Sequence, residues 1–258
     1  MSLSALSRSI EGSVAVITGA GSGMGAATAK LFAAQGARVA AIDLEAERLQ
    51  SVIDEISAAG ALARGWPLDL AESQAIEPTV HEIAAEMAGI DILINNAGIS
   101  MPAALDSQDY EAAWAQSFDV LLTAQMRMIR AALPYLRRAE HPRIINIAST
   151  EGLGATKFGS PYTAAKHGVI GLTRSLSVEL GAEGITVNCI CPGPINTGMT
   201  AQIPEDQKAI YARRRVALKR YGEPEEVAHA TLNLALPAAG YMTGVALPVD
   251  GGLTIKNA

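Results

Sequence analysis

Ser149, Tyr162 and Lys166 place a hydroxyl, a phenol and an amine in the order that proton transfer at neutral pH requires. Tyr162 and Lys166 are four residues apart, so on a helix they share a face with Cβ atoms about 5–6 Å apart. The preceding residues read as a helix start, with Ser160 at the N-cap and Pro161 at the first helical position. A phenol titrates near ~10 in water, so a phenolic base near pH 7 needs a shift of about 3 units, or about 4 kcal/mol. An ammonium ~4–5 Å away at an effective dielectric of ~20 supplies about that much. On this reading Lys166 makes Tyr162 a usable acid/base, and the Ser149 hydroxyl orients an alcohol or polarises a carbonyl.

A second motif lies near the other end of the chain. The β-branched run Val14–Thr18 leads into Gly19-Ala-Gly-Ser22-Gly23-Met24-Gly25, after which an Ala-rich helical pattern continues to Gln35-Gly36. Strand, glycine turn and helix together let a pyrophosphate approach the N–H groups at the positive end of the helix. The spacing is Thr-Gly-x3-Gly-x-Gly, in which Gly21 has no required place. A second strand ends in Asp43, about 20 residues on, where a carboxylate accepts hydrogen bonds from an adenosine ribose and repels a 2′-phosphate. Ser22 and Leu44, beside the expected phosphate position, carry no positive charge. The expected cofactor is therefore NAD rather than NADP, by about 100-fold.

Strand-like runs recur at Val14–Thr18, Val39–Asp43, Gly65–Asp69, Ile90–Asn95, Arg143–Ser149, Thr186–Pro192 and Val245–Val249, with helical patterns between them. That alternation predicts one α/β domain over residues 1–258, doubly wound and Rossmann-like, with a seven-stranded parallel sheet and helices on both faces. Residues 1–11 read as an N-terminal extension. Ligands in such sheets bind outside the carboxyl ends of the strands. The glycine turn, Asp43, Asp69, Asn95–Gly98, Ser149 and Pro192–Thr197 each follow a predicted strand, so they converge on one composite site.

These motifs, with the near-terminal Thr243-Gly244 and Val249–Gly252, resemble the short-chain dehydrogenase/reductase family from about Gly12 to Gly252. The resemblance implies that Gly19, Ser22, Gly23, Met24 and Gly25 cradle the cofactor. Asp69 and the Leu70 N–H would contact the adenine, and Asn95 the adenine ribose. Ala97, Gly98, Pro192 and Gly193 complete the cofactor set with Tyr162 and Lys166. Lys166 would also hold the nicotinamide ribose, and the Ile195 backbone with Thr197 the carboxamide. Asp69 and Thr197 can equally cap the helix that follows each of them, and Asn96 reads as a structural pin between strand ends. The substrate would lie against Glu151, Phe158 and the loop 194–218, with Met101, Met199 and Tyr211 nearby; Glu151 either binds a substrate hydroxyl or amine or is a solvated loop acid. A homotetramer is also implied.

One residue departs from the family pattern. Where the family usually has Asp-Val-Asn-Leu-Thr, its Asn holding a water that links the lysine to solvent, this chain reads Asp119-Val-Leu121-Leu-Thr123. Leu121 neither donates nor accepts a hydrogen bond. Either a backbone carbonyl or a repositioned water serves Lys166, or its pKa falls; the first is expected here.

Composition narrows the remaining classes. The chain is 49% hydrophobic but only 4% aromatic, so Ala, Val, Ile and Leu must fill its core. A net charge of −6 argues against a nucleic-acid footprint, and Arg213–Arg215 reads as a solvated helix face. No signal peptide or membrane span is evident, which predicts a cytoplasmic protein. Cys189 and Cys191, two apart on a strand, point to one face and read as buried apolar residues. The four histidines show no metal-ligand spacing, so no metal is expected. The leading reading is an NAD-dependent oxidoreductase that interconverts a secondary alcohol and a ketone. The alternatives are a non-catalytic NAD-binding sensor or scaffold, prompted by Leu121, and a methyltransferase, which has no use for Tyr162 and Lys166.

Overall fold

A computed structural model describes residues 5–257. Seven parallel strands form one sheet: β1 (Val14–Thr18), β2 (Arg38–Asp43), β3 (Ala63–Pro67), β4 (Ile92–Asn95), β5 (Arg143–Ile147), β6 (Thr186–Pro192) and β7 (Ala246–Val249). Their spatial order is β3-β2-β1-β4-β5-β6-β7, so the direction of winding reverses between β1 and β4. Eight helices connect and cover them: α1 (Gly23–Ala34), α2 (Ala46–Ala58), α3 (Ser73–Glu86), α4 (Tyr110–Phe118), α5 (Ala124–Leu136), α6 (Ser160–Leu180), α7 (Glu205–Arg215) and α8 (Pro224–Ala235).

Period-two alternation divides the core. Ala15 and Ile17 of β1 face one side with Phe32 of α1 and Leu234 of α8. Val14 and Val16 face the other, with Val80 of α3 and Met128 of α5. Both faces of the central strands are therefore dry, as the continuous apolar runs require. Cys189 and Cys191 are fully buried, unpaired and on one face of β6. Among the described residues, no helix is long and apolar enough to cross a membrane.

Several boundaries differ from those expected. Strand β3 occupies Ala63–Pro67 rather than Gly65–Asp69. It is an edge strand with only Ala63 and Trp66 buried, so its apolar signal is too sparse to fix its register. Strand β5 stops at Ile147, two residues before Ser149. Helix α6 starts at Ser160 and is flanked by Gly159, so Ser160 does not cap it. The Ser160 hydroxyl instead pairs with the Tyr110 hydroxyl at 2.9 Å. The segment preceding β1 is more than an extension, because Ile10 is 2% exposed within the α1/α8 core. Residues 1–4 of that stretch lie outside the described residues.

Arg143, at the start of β5, is buried without a carboxylate partner among the described residues. Its guanidinium donates to the carbonyls of Pro142, Leu236 and Pro237, at 3.0–3.4 Å, and so closes the end of α8. Burial pushes its pKa below the ordinary value. Arg143→Ala leaves those carbonyls unpaired and should lower the unfolding free energy by about 2–3 kcal/mol, read from urea denaturation. A loss below about 0.5 kcal/mol would show that solvent replaces the guanidinium.

Candidate functional site

The first wall of the site is the turn between β1 and α1. Gly19 and Gly23 have φ of 65° and 51°. A Cβ on Gly25 would lie 1.9 Å from the Gly19 carbonyl oxygen and 2.5 Å from Asn96 Nδ2. Only glycine allows that approach. Ser22 flanks α1 in extended conformation without a side-chain cap, and first-turn N–H groups have no intrahelical acceptor. This is the donor arrangement that a diphosphate needs. The turn is fixed to β4 by a pair of reciprocal contacts. Thr18 Oγ1 accepts the N–H groups of Asn96 and Ala97 at 2.9 and 3.0 Å. Asn96 Nδ2 donates to the carbonyls of Thr18 and Gly19 at 2.9 and 3.2 Å. Asn96 is the structural pin expected of it.

Asp43, at the end of β2, is held by two backbone donors. Its Oδ2 accepts the Gly21 N–H at 2.8 Å and its Oδ1 the Glu45 N–H at 3.0 Å. A Cβ on Gly21 would sit 2.9 Å from Asp43 Cγ. Gly21 therefore has a required place after all: it admits the carboxylate against the turn. Ser22 and Leu44 bring no charge to this acid, but Arg48 from the first turn of α2 lines the same cleft.

That cleft has a volume of about 720 Å³. It is lined by Gly19, Ser22, Gly23, Met24, Asp43, Asp69 and Leu70 on one side, and by Ala97, Gly98, Ser149, Tyr162 and Lys166 on the other. Pro192, Gly193, Ile195 and Thr197 close it. Asp69 also accepts the Ala71 N–H at 2.8 Å, but α3 starts at Ser73 and is flanked by Glu72, so Asp69 does not cap that helix, whereas Thr197 does cap the short turn Gly198–Thr200. Four expected residues do not line it, the first being Gly25, which packs against the Gly19 carbonyl. Asn95 is 1% exposed and turned into the sheet, where Nδ2 donates to Asn146 Oδ1 at 2.9 Å. Glu151 has both carboxylate oxygens occupied, by the hydroxyls of Thr156 and Thr163. Phe158 is half-exposed at φ 64°, with the Lys157 ammonium 4.7 Å above its ring. The same cleft is also lined by Ser100, Gln116 and Val120, and by Met101 and Met199. Of these, Gln116 gave no sequence signal, since it lies within α4 without a motif, and Val120 belongs to the Asp119–Thr123 segment, where only Leu121 drew notice.

Ser149 caps a short turn at Thr150–Gly152, with Oγ accepting the Glu151 N–H at 3.1 Å. That acceptance leaves the Ser149 proton available as a donor. Lys166 is 2% exposed and donates from Nζ to the Ile147 carbonyl at 2.7 Å, where β5 ends. Burial pushes its pKa down to about 8. The two outcomes posed for Leu121 thus occur together: a backbone carbonyl serves the ammonium, and its pKa falls. Leu121 itself is fully buried in a π turn, Asp119–Thr123, and packs toward Gly98.

The expected tuning of Tyr162 by Lys166 is not present. The ammonium lies 5.6 Å from the Tyr162 ring centroid, held against Ile147 rather than at the phenol oxygen. Burial is the largest influence on Tyr162 and raises its pKa; the hydrogen bond with Ser149 lowers it, and the Glu151 charge raises it. The net direction is above the ordinary phenol value.

A doubly wound sheet with a glycine turn at its switch point and a Ser–Tyr–Lys wall defines a class of dinucleotide-binding oxidoreductases. Residues 19–254 match the family model described as enoyl-(acyl carrier protein) reductase. The chain is 40% identical over 247 residues to (2S)-[(R)-hydroxy(phenyl)methyl]succinyl-CoA dehydrogenase subunit BbsD of Thauera aromatica, covering 95% of this chain and 98% of that one. Among solved structures, it is similar to carveol dehydrogenase from Mycobacterium avium in complex with NAD (TM-score 0.91, 27% identity, 96% and 99% covered). It is likewise similar to a blue fluorescent protein from a metagenomic library in complex with NADPH (TM-score 0.88, 32% identity, 95% and 98% covered). The chain belongs to the short-chain dehydrogenase/reductase family.

Two outcomes follow from the buried ammonium. In the folded protein Lys166 loses its proton near pH 8, against an ordinary value of 10.5. Between those values the unfolded chain holds the extra proton, so the site's contribution to stability rises with pH. Compared with Lys166→Met, the wild type should gain up to about 3 kcal/mol of unfolding free energy across that window. A gap that stays constant or narrows with pH would contradict the burial effect. Because Ile147 already serves the ammonium, Leu121→Asn should change kcat by less than about tenfold, ~1.4 kcal/mol in barrier. A larger gain would mean that the Ile147 carbonyl does not suffice.

Proposed function

We propose that this chain is an NAD-dependent oxidoreductase that interconverts a secondary alcohol and a ketone. The observation that carries the reading is the convergence of Ser149, Tyr162 and Lys166 with the glycine turn and Asp43 on one cleft. The donors of the first turn of α1 suit the diphosphate, and Asp43 suits the hydroxyls of the adenosine ribose. Leu68 and Leu70 offer apolar surface to an adenine. When bound, the nicotinamide supplies a hydride acceptor for the carbinol carbon. Ser149 donates to the substrate oxygen and fixes its position. Tyr162 Oη takes the hydroxyl proton in oxidation and returns it in reduction. With Tyr162 raised by burial, the phenol is the resting form, which suits proton donation to a ketone. Oxidation starts from the phenolate, which burial disfavours, and Lys166, with its ammonium 5.6 Å from the ring centroid, would hold the nicotinamide ribose. Leu121, which prompted a non-catalytic reading, does not leave Lys166 unpartnered.

We infer a cytoplasmic homotetramer. The exposed edge of α4 supports association: Trp114 is 37% exposed and stacks on Phe118 at 4.6 Å. On α6, Val178 is 84% exposed. Light scattering at micromolar concentration should give about four times 26.8 kDa. A species of one chain only would contradict it.

Tyr162→Phe removes the acid/base group and keeps the ring. It should abolish turnover while leaving NAD affinity nearly unchanged; retention of more than a few per cent of the wild-type rate would overturn the assignment. NAD should exceed NADP in kcat/KM by about 100-fold or more, since a 2′-phosphate at Asp43 is repelled and displaces a charge-assisted hydrogen bond. Asp43→Ala should narrow that ratio, and equal use of both cofactors by the wild type would contradict NAD preference.

A further inference from the structure

Loop 150–159 joins the Ser149 turn to α6, and one carboxylate ties it together. The Glu151 N–H donates to Ser149 Oγ at 3.1 Å. Its side chain reaches the other way. Oε2 accepts the Thr163 hydroxyl at 2.8 Å, on the first turn of α6 and next in sequence to Tyr162. Oε1 accepts the Thr156 hydroxyl from the middle of the loop. One residue thus meets Ser149 through its backbone and the neighbour of Tyr162 through its carboxylate.

The turn is seated on α6 at a second point. Gly152 is buried, and a Cβ there would lie 2.8 Å from the Lys166 carbonyl oxygen, so its backbone packs directly on the helix. Two anchor points fix an orientation where one does not. Beyond them the loop is exposed from Leu153 to Phe158, and its far end is tied by the Ala103 N–H, which donates to the Phe158 carbonyl at 2.9 Å. Ser149 and Tyr162 must meet one substrate oxygen, and a misplacement of about 1 Å can cost about 100-fold in rate. Glu151 also acts on the phenol through space. Burial does most to raise the Tyr162 pKa, the Ser149 hydrogen bond lowers it, and the Glu151 charge raises it again. Tyr211 on α7 is raised by burial, lowered by Arg215 and raised by the same carboxylate. The groups that face the Tyr162 ring are therefore Ser149, Glu151 and Lys166.

We propose that Glu151 is a positioning residue: its carboxylate clasps the Ser149 turn to the first turn of α6 and so holds the Ser149 and Tyr162 hydroxyls at the separation that proton transfer at one substrate oxygen requires. The inference rests on the oxidoreductase reading above and deepens it. Glu151 then acts through its neighbours and not on the substrate, since both of its oxygens are engaged.

The test follows turnover of the full chain with NAD and whichever alcohol of a secondary-alcohol panel the wild type oxidises fastest. Glu151→Ala should lower kcat by about tenfold or more, with the alcohol KM and the NAD affinity within about twofold. Glu151→Gln, whose amide still bridges the two threonine hydroxyls, should recover most of that loss. Both variants remove a negative charge beside the phenol, so the limb of the oxidation profile set by Tyr162 should move to lower pH by about 0.5 or more. A merely structural role would not move that limb. Glu151→Ala with kcat within about twofold of wild type would overturn the proposal. A raised KM at unchanged kcat would also overturn it, by placing the carboxylate on the substrate. So would Glu151→Gln no faster than Glu151→Ala. If the wild type bound NAD yet oxidised no alcohol of the panel, the oxidoreductase reading itself would fall, and this inference with it.

Discussion

An ammonium with no carboxylate partner, buried at the end of a parallel sheet, is the constraint around which the site is arranged. Burying a charge is costly unless hydrogen bonds compensate it. Lys166 meets that cost through the Ile147 carbonyl, which is free because β5 ends at that residue. The same strand end turns the chain so that Ser149, two residues on, faces the cleft, and α6 brings Tyr162 back over the ammonium one turn before Lys166. Strand length, helix start and charge are therefore one problem with one solution. Depressing the lysine's pKa to about 8 is the residual cost of that burial, and it leaves the group able to change protonation near neutral pH.

The opposite wall is fixed by backbone rather than charge. Thr18 and Asn96 join the ends of β1 and β4 where the winding of the sheet reverses. Gly25 packs against the Gly19 carbonyl, and Gly21 packs against Asp43, so two close approaches hold the turn and the acid in register. The segment that follows β6, from Gly193 to Thr200, contributes to the lining of the same cleft. The glycine turn, Asp43 and Ser149 thus sit at or just past strand ends, and Tyr162 and Lys166 on the first turns of α6.

What could be read from the sequence follows the same division. Strands buried on both faces announce themselves, and β1 and β6 lie at the residues their apolar runs indicate. The motif residues are legible because glycine, proline and the Tyr–Lys spacing constrain the backbone directly. Residues whose role depends on which way a side chain turns are not. Asn95 and Asn96 are adjacent and chemically identical, yet one pairs with Asn146 inside the sheet and the other lines the cleft. Glu151 was legible as an acid near the site, but its occupation by Thr156 and Thr163 is a loop property with no periodic signal. Arg48 lies five residues past Asp43, and only the path of the β2–α2 turn brings it back beside the carboxylate. The effect of Lys166 on Tyr162 was overestimated because helical spacing gives a Cβ separation, whereas the field depends on where the ammonium is anchored.

The central claim is that these residues form one site for direct transfer from a carbinol carbon to a nicotinamide. The most direct test is to incubate the protein with NAD and a panel of secondary alcohols deuterated at that carbon, following reduced nicotinamide by absorbance and deuterium by mass spectrometry. A substrate from the panel should yield ketone and reduced nicotinamide carrying the deuterium, with a slower rate than its protiated form. Deuterium released to solvent, or no reduced nicotinamide with any alcohol while NAD is bound, would contradict the claim.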